Sequence, residues 1–111
     1  MDERYSDLVG RLRAAVLGGS GVTDSTLRQS VEARAATLGG RPGAEAGVPA
    51  GLTAYVDKVA QHAFEVTHED VAALRKAGYS EDAIFEITAS AALGAGLGRL
   101  ERGLAALKGA V

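Results

Sequence analysis

The sequence predicts an all-α chain: a compact bundle of five or six helices that associates with copies of itself. Three observations carry this expectation. Apolar residues recur three and four positions apart in successive segments, the spacing that lines one face of a helix. Each segment is bracketed by a capping residue at its start or by glycine at its end. No stretch of useful length alternates apolar and polar residues as a half-buried strand does. Association is expected from composition. The 111 residues include 22 alanines and only 5% aromatics, so little apolar area is buried per residue. At roughly 25 cal/mol per Å², a small alanine-rich core gains from contact with a second chain.

Residues 4–17 form the first expected helix, with Leu8, Leu12, Ala15 and Val16 on one face and Arg4, Asp7, Arg11 and Arg13 around it. Gly18, Gly19, Ser20 and Gly21 stop it. Thr23 or Asp24 can cap the second helix, because a side-chain oxygen there accepts from a free backbone N–H. Leu27, Val31, Ala35 and Leu38 make its stripe, and Gly39-Gly40 ends it. Residues 39–51 are rich in glycine and hold both prolines of the chain. This segment reads as a linker, either a partly disordered loop or a pause between an N-terminal helical pair (1–38) and a C-terminal helical core (52–108), all within one domain. Pro49 suits the first turn of the third helix, which lacks need of its N–H. Leu52, Tyr55, Val56, Val59, Ala60 and Ala63 form that helix's stripe.

Thr67-His68-Glu69-Asp70 opens the fourth helix. Thr67 can cap it, and the acidic residues suit the positive end of its dipole. Val71, Leu74 and Ala77 follow on one face, Gly78 takes the helix-terminating position of positive φ, and Tyr79 can pack back over the last turn. Ser80-Glu81-Asp82 then starts a helix whose apolar positions Ile84, Ile87, Ala91, Leu97, Leu100, Leu104 and Leu107 run to the end of the chain. Its centre holds Gly94, Gly96 and Gly98. Each glycine in a helix costs about 1 kcal/mol relative to alanine, so a compensating feature is expected. Small residues let a second backbone approach closely, within the fold or between subunits. The alternative is a break into two helices around residues 94–98. The run follows a helix rather than a strand and lacks the Lys-Ser/Thr of a phosphate loop.

Composition excludes several functional classes. With no Cys, the chain has no disulfide framework, no thiolate nucleophile, no iron–sulfur cluster and no Cys-based zinc site. A net charge of −2 does not suit a polyanion or an acidic membrane surface. A helix-turn-helix can be drawn over residues 68–98, but Glu81, Asp82 and Glu86 would set the wrong sign of charge against phosphate. No segment approaches the ~18 uninterrupted apolar residues of a membrane span, and Met1-Asp2-Glu3-Arg4 lacks the order of a signal peptide. The expectation is a cytoplasmic protein without nucleic-acid or membrane partners, and without a cofactor or metal.

The reactive side chains concentrate between the third and fourth helices: His62, Glu65, His68, Glu69 and Asp70. His62 and Glu65 share a face if the third helix continues through them. A histidine titrates near neutrality, so His62 or His68, with Glu65 or Glu69 as orienting carboxylate, is the candidate set for acid–base chemistry. Imidazoles and carboxylates this close could also bind a divalent metal, but the spacing matches no metal motif, His-Glu-x-x-His included. The alternative is structural: Glu69 and Asp70 complete a helix cap, and the histidines are surface groups. Tyr55 and Tyr79 are candidate hydrogen-bond donors in a pocket or core residues with a hydroxyl at the edge. Arg99 and Arg102 flank Glu101 and suit an anion or, better, a salt-bridging face.

The run Val71-Ala72-Ala73-Leu74-Arg75-Lys76-Ala77-Gly78-Tyr79-Ser80-Glu81-Asp82-Ala83-Ile84-Phe85-Glu86-Ile87 resembles a stretch of the carboxymuconolactone decarboxylase-like and alkylhydroperoxidase D-like superfamily. There a helix ends in Ala-x-x-x-Gly and is followed by a capped helix with an acidic pair, an Ile and a Glu, then alanine-rich turns. The resemblance covers roughly residues 52–107. It implies an all-α fold and assembly as dimers, trimers or hexamers. Many members reduce peroxides with a Cys-x-x-Cys pair followed by a His, whereas the decarboxylase type works on lactones without the pair. Counted back from Gly78, the two Cys positions fall near Ala63 and Val66 and the His near Asp70, and none matches. In a second register, residues 52–107 follow the catalytic part, as in the C-terminal half of longer members. In either register the chain cannot perform thiol chemistry, which requires a thiolate.

Two functional readings follow. In one, a family-like helical protein without the dithiol binds or converts a small acidic molecule through His62, Glu65, His68 and Glu69. In the other, the chain is a non-enzymatic homo-oligomer or an interaction partner of an active paralogue. An adaptor that uses the two N-terminal helices is a further variant of the second.

Overall fold

The computed structural model describes residues 3–43 and 47–111. Five α-helices, Glu3–Arg13 (α1), Ser25–Gly39 (α2), Ala50–Gln61 (α3), His68–Lys76 (α4) and Glu81–Leu107 (α5), account for most of them. A π-helical turn, Ala14–Gly18, extends α1, and a 3-10 turn, Ala63–Glu65, joins α3 to α4. No strand occurs among the described residues. Of the expected linker, residues 44–46 lie outside the described residues. The flanking residues 41–43 and 47–49 are irregular, and Pro49 stands one position before α3 rather than within its first turn.

The core lies where α2, α3 and α5 meet. Val31 and Ala35 of α2, Leu52, Val56 and Ala60 of α3, and Ile87, Ala91 and Ala95 of α5 are all buried. Leu74 of α4 and Ile84 close one end of the cluster, with Tyr79 packed at its edge. Burial of a Leu, Ile or Val side chain contributes about 1.5–3 kcal/mol, so the periodic stripes on these three helices supply the main drive to fold.

The last helix does not break. α5 runs unbroken for 27 residues, through all three central glycines. The reason is its crossing with α2. A Cβ placed on Gly94 would collide with the backbone carbonyl of Glu32, and one on Gly98 with that of Ala36. From the other side, a Cβ on Gly39 would lie 2.6 Å from the carbonyl oxygen of Ala95. The two backbones touch, and the packing gained there offsets the low helix propensity of glycine. The third glycine differs: Gly96 is exposed, and a Cβ there would meet nothing within 4 Å. The crossing is thus intramolecular, formed by Gly94 and Gly98 and not by Gly96.

The α4–α5 junction follows the expected capping chemistry. The Thr67 hydroxyl accepts from the Asp70 N–H while the Asp70 carboxylate accepts from the Thr67 N–H, a reciprocal capping box. Gly78, at φ +106°, ends α4, and the Tyr79 N–H returns to the Leu74 carbonyl. The Ser80 hydroxyl then accepts from the Ala83 N–H at 3.1 Å to start α5. The start of α2 is different. Asp24 occupies the cap position but its side chain makes no cap bond. Thr23, the other candidate, directs its hydroxyl to Glu86 of α5.

Substitution at the glycines separates the two environments. Gly98→Ala must push two backbones apart, an overpacking penalty of about 3 kcal/mol against about 1 kcal/mol gained in helix propensity. We expect its thermal midpoint to fall by roughly 8 °C. Gly96→Ala, with open space around it, should raise the midpoint by roughly 3 °C. Thermal melts followed by circular dichroism check both, and equal responses would contradict the crossing.

Candidate functional site

α3 ends one residue before His62. The His62 N–H closes the last turn on the Lys58 carbonyl, and His62 itself leaves the helical region with φ −141° and ψ 49°. The chain then makes one 3-10 turn, with the Glu65 N–H on the His62 carbonyl and the Val66 N–H on that of Ala63. His62 and Glu65 therefore do not share a helix face, because the helix that would align them stops. His68 and Glu69 follow in the first turn of α4. His62, Glu65, His68 and Glu69 are all exposed. The one ring contact of His62 is edge-on to Phe64, with centroids 6.2 Å apart, and Phe64 is itself 86% exposed. Among the described residues no group of three His, Asp or Glu side chains could hold a metal ion.

Asp70, their neighbour, has a structural role. Besides completing the cap it accepts from the Lys58 ammonium at 2.9 Å, which ties α4 to α3. The backbone N–H of Thr67 and then the Lys58 ammonium hold its carboxyl below the usual carboxylate range. These residues border a shallow cleft of about 200 Å³ whose walls include Tyr55, Lys58, Asp70 and Leu74. Tyr55 is a core residue whose hydroxyl pairs with the Thr88 hydroxyl at 2.7 Å. None of the four candidate acid–base residues lines this cleft or either of the two described next.

The buried charge of the molecule lies around α2. Glu32, 1% exposed, accepts from Arg41 at 2.9 Å and from Arg13 at 3.1 Å. Arg41 also grips Glu101 of α5 at 2.7 Å. Its hydrogen bond to Glu101 raises the guanidinium further above its usual value, burial opposes this, and Glu32 adds to it. The face that carries Arg99, Glu101 and Arg102 is thus a salt-bridging one at Glu101, while Arg99 donates to the Ala60 carbonyl of α3. Arg13, Glu32 and Arg41 border an open cleft of about 500 Å³ between α1 and α2.

Arg28, 4% exposed, is the second buried charge. It donates to the carbonyls of Val16 at 2.9 Å and Gly19 at 2.6 Å, and so closes the π-helical turn whose carbonyls would otherwise lack partners. Glu86 holds the next stretch of the same loop. Its carboxylate accepts from the Thr23 hydroxyl at 2.6 Å and from the N–H groups of Val22 and Thr23, each at 2.9 Å. Those bonds, the Thr23 hydroxyl first, set its carboxyl below the usual range. A Cβ on Gly21 would crowd this carboxylate. Arg28, Phe85 and Glu86 border a cleft of about 270 Å³.

Sequence reasoning placed Arg28, Glu32, Arg41 and Glu86 in no site. A signal was present for two of them. Arg28 and Glu32 stand four apart and interleave with the apolar positions Val31 and Ala35, which places both on the buried face of α2.

The fold is all-helical, free of cysteine, and no helix of the described residues is long and apolar enough to cross a membrane. Comparison with family models, curated proteins and solved structures finds no match to this chain.

The lowered carboxyls set an acid limit on stability. Where the folded state depresses a carboxyl, its stabilisation is complete above the unfolded value, about 4, and is lost as pH falls through the folded value. The thermal midpoint should hold steady from pH 7 to about 5 and fall below about pH 4. Glu86→Gln should lower the midpoint at pH 7 and flatten the acid fall, measured as melts across a pH series.

Proposed function

We propose that this chain works by association: it is a non-enzymatic helical module that binds a second copy of itself through α1. The carrying observation is the outer face of α1. Leu8 and Leu12 are 54% and 49% exposed, and Tyr5 beside them is 52% exposed. Beyond the turn that follows it, α1 makes few contacts with the other helices among the described residues. An isolated helix of 11 residues is marginal in water, so α1 gains its stability from a covered apolar stripe. The alanine-rich core adds to the case, since a small core leaves much to be gained by assembly.

The acid–base reading, in which His62, Glu65, His68 and Glu69 convert a small acidic molecule, draws less support. Those side chains are exposed and border none of the three clefts described, so none of these clefts shields them from water or holds a substrate against them. Kinship with the carboxymuconolactone decarboxylase-like proteins is part of our proposal. It rests on the run from Val71 to Ile87 and is compatible with a paralogue that has no thiol chemistry.

Sedimentation velocity of the full chain at tens of micromolar tests the reading. We expect a dimer or larger species, and a Leu8→Ser, Leu12→Ser double variant that associates at least 10-fold more weakly, since each leucine forfeits about 1 kcal/mol or more of burial. The helical circular dichroism of residues outside α1 should persist. A strictly monomeric wild-type chain overturns the proposal.

A further inference from the structure

We propose that the cleft between α1 and α2 binds a small monocarboxylic acid with an apolar body, held by Arg13. Three observations meet there. The first is an arginine fixed in place with one edge free. Glu32, 1% exposed, accepts from the Arg13 Nε–H at 3.1 Å and is itself held by Arg41 at 2.9 Å. Neither terminal nitrogen of Arg13 has a partner among the described residues. That terminal pair of N–H groups matches the two oxygens of a carboxylate. The second is space that the sequence keeps open. The cleft holds about 500 Å³, within the range of small-molecule sites. Gly10 borders it, and a Cβ there would meet nothing within 4 Å. A glycine inside a helix weakens it. Unlike Gly94 and Gly98, Gly10 admits no second backbone, and its effect is to leave the cleft unfilled. The third is the π-helical turn Ala14–Gly18, which supplies Ala14 and Leu17 to the wall. Such turns are rare and concentrate at functional sites.

Charge and lining select the ligand class. Arg13 and Arg41 are matched by Glu32 and Glu101, so the network is neutral as a whole. A dianion such as a phosphate monoester finds no surplus charge to hold it and is repelled by Glu32. A monoanion needs only the free edge of Arg13. Ala14 and Leu17, with Ala33 of α2, give its apolar body a wall to lie on. A bound acid also bridges α1 to α2, which otherwise touch little beyond the π-helical turn. The site goes beyond the association proposed above and does not depend on it. At helical spacing Gly10, Arg13 and Ala14 share one side of the helix, and Leu8 and Leu12 lie on the other.

Benzoate, a carboxylate on a flat apolar ring, is the probe. It is titrated at neutral pH into the full isotope-labelled chain and followed by heteronuclear NMR. We expect saturable shifts at the amides of residues 10–18 and 29–33 and at the Arg13 Nε–H, with half-saturation at about 10 mM or below for a ligand of this size. Benzamide, which has the same shape without the charge, and phenyl phosphate should each bind roughly 10-fold more weakly or worse. Arg13→Gln and Gly10→Leu should each weaken benzoate by roughly 10-fold or more. Arg13→Gln also removes a partner of buried Glu32, so Gly10→Leu is the cleaner variant: it breaks no side-chain bond, gains helix propensity and places a side chain in the cleft. Benzamide or phenyl phosphate binding as tightly as benzoate overturns the proposal. So does undiminished binding to Gly10→Leu, or a wild-type chain whose shifts do not saturate. Sedimentation of the same samples reads association separately, so the failure of either reading leaves the other standing.

Discussion

The backbone contact between α2 and α5 is the constraint on which the other packing depends. Side chains normally keep helix axes 8–10 Å apart. At Gly94 and Gly98 there is no side chain on α5, and the carbonyls of Glu32 and Ala36 occupy the space it would fill. That approach brings Val31 and Ala35 against Ile87, Ala91 and Ala95 at full burial. α3 then seals the two with Leu52 and Val56. Alanine and valine can fill this core because the helices are already so near each other. Larger residues would need a wider separation that the glycines do not provide.

Close helices leave little room for water, and the carboxylate buried at the crossing is correspondingly well satisfied. Glu32, whose own carbonyl meets Gly94, carries a carboxylate that would be costly to bury alone. Two arginines from separate segments reach it, and one of them extends to Glu101 on α5. Removing one partner of a buried ion pair strands the other, an effect of about 3–5 kcal/mol. Arg28 and Glu86 use the same physics to hold the turn and loop that follow α1: one binds the carbonyls of residues 16, 19 and 23, the other the N–H groups of residues 22 and 23. The N-terminal loop is fastened by side-chain charge rather than by a helix cap.

Much of the fold was legible in the sequence because its signals are local. The Thr67 box, Gly78 and the Ser80 cap involve residues within a few positions of one another, and the structure forms each of them. The apolar stripes of α2, α3 and α5 were read from spacing alone. What was not legible depends on distant partners. Periodicity could not say whether three glycines break α5 or seat it, because the answer lies in Glu32 and Ala36. Nor could it say that Thr23 leaves the cap of α2 for Glu86, 63 residues away. The candidate site shows the same limit. His62 and Glu65 are near each other in sequence, yet their alignment required a helix that ends at Gln61. The buried carboxylates and guanidiniums are scattered along the chain and meet only in space.

The α2–α5 crossing also bears on the order in which the chain acquires structure. Backbone-to-backbone contact is useful only when both helices already exist, since an irregular segment cannot present a row of carbonyls to a row of glycines. The contacting positions are separated by more than half the chain, so a long loop must close before they meet. The α4–α5 turn, by contrast, is assembled from neighbours and has its caps in the local sequence. Early structure should therefore gather around residues 67–90, with the glycine crossing as a late, committing step. Until that step, the apolar faces of α2 and α5 stand open together, and the chain is most exposed to mispairing with another copy.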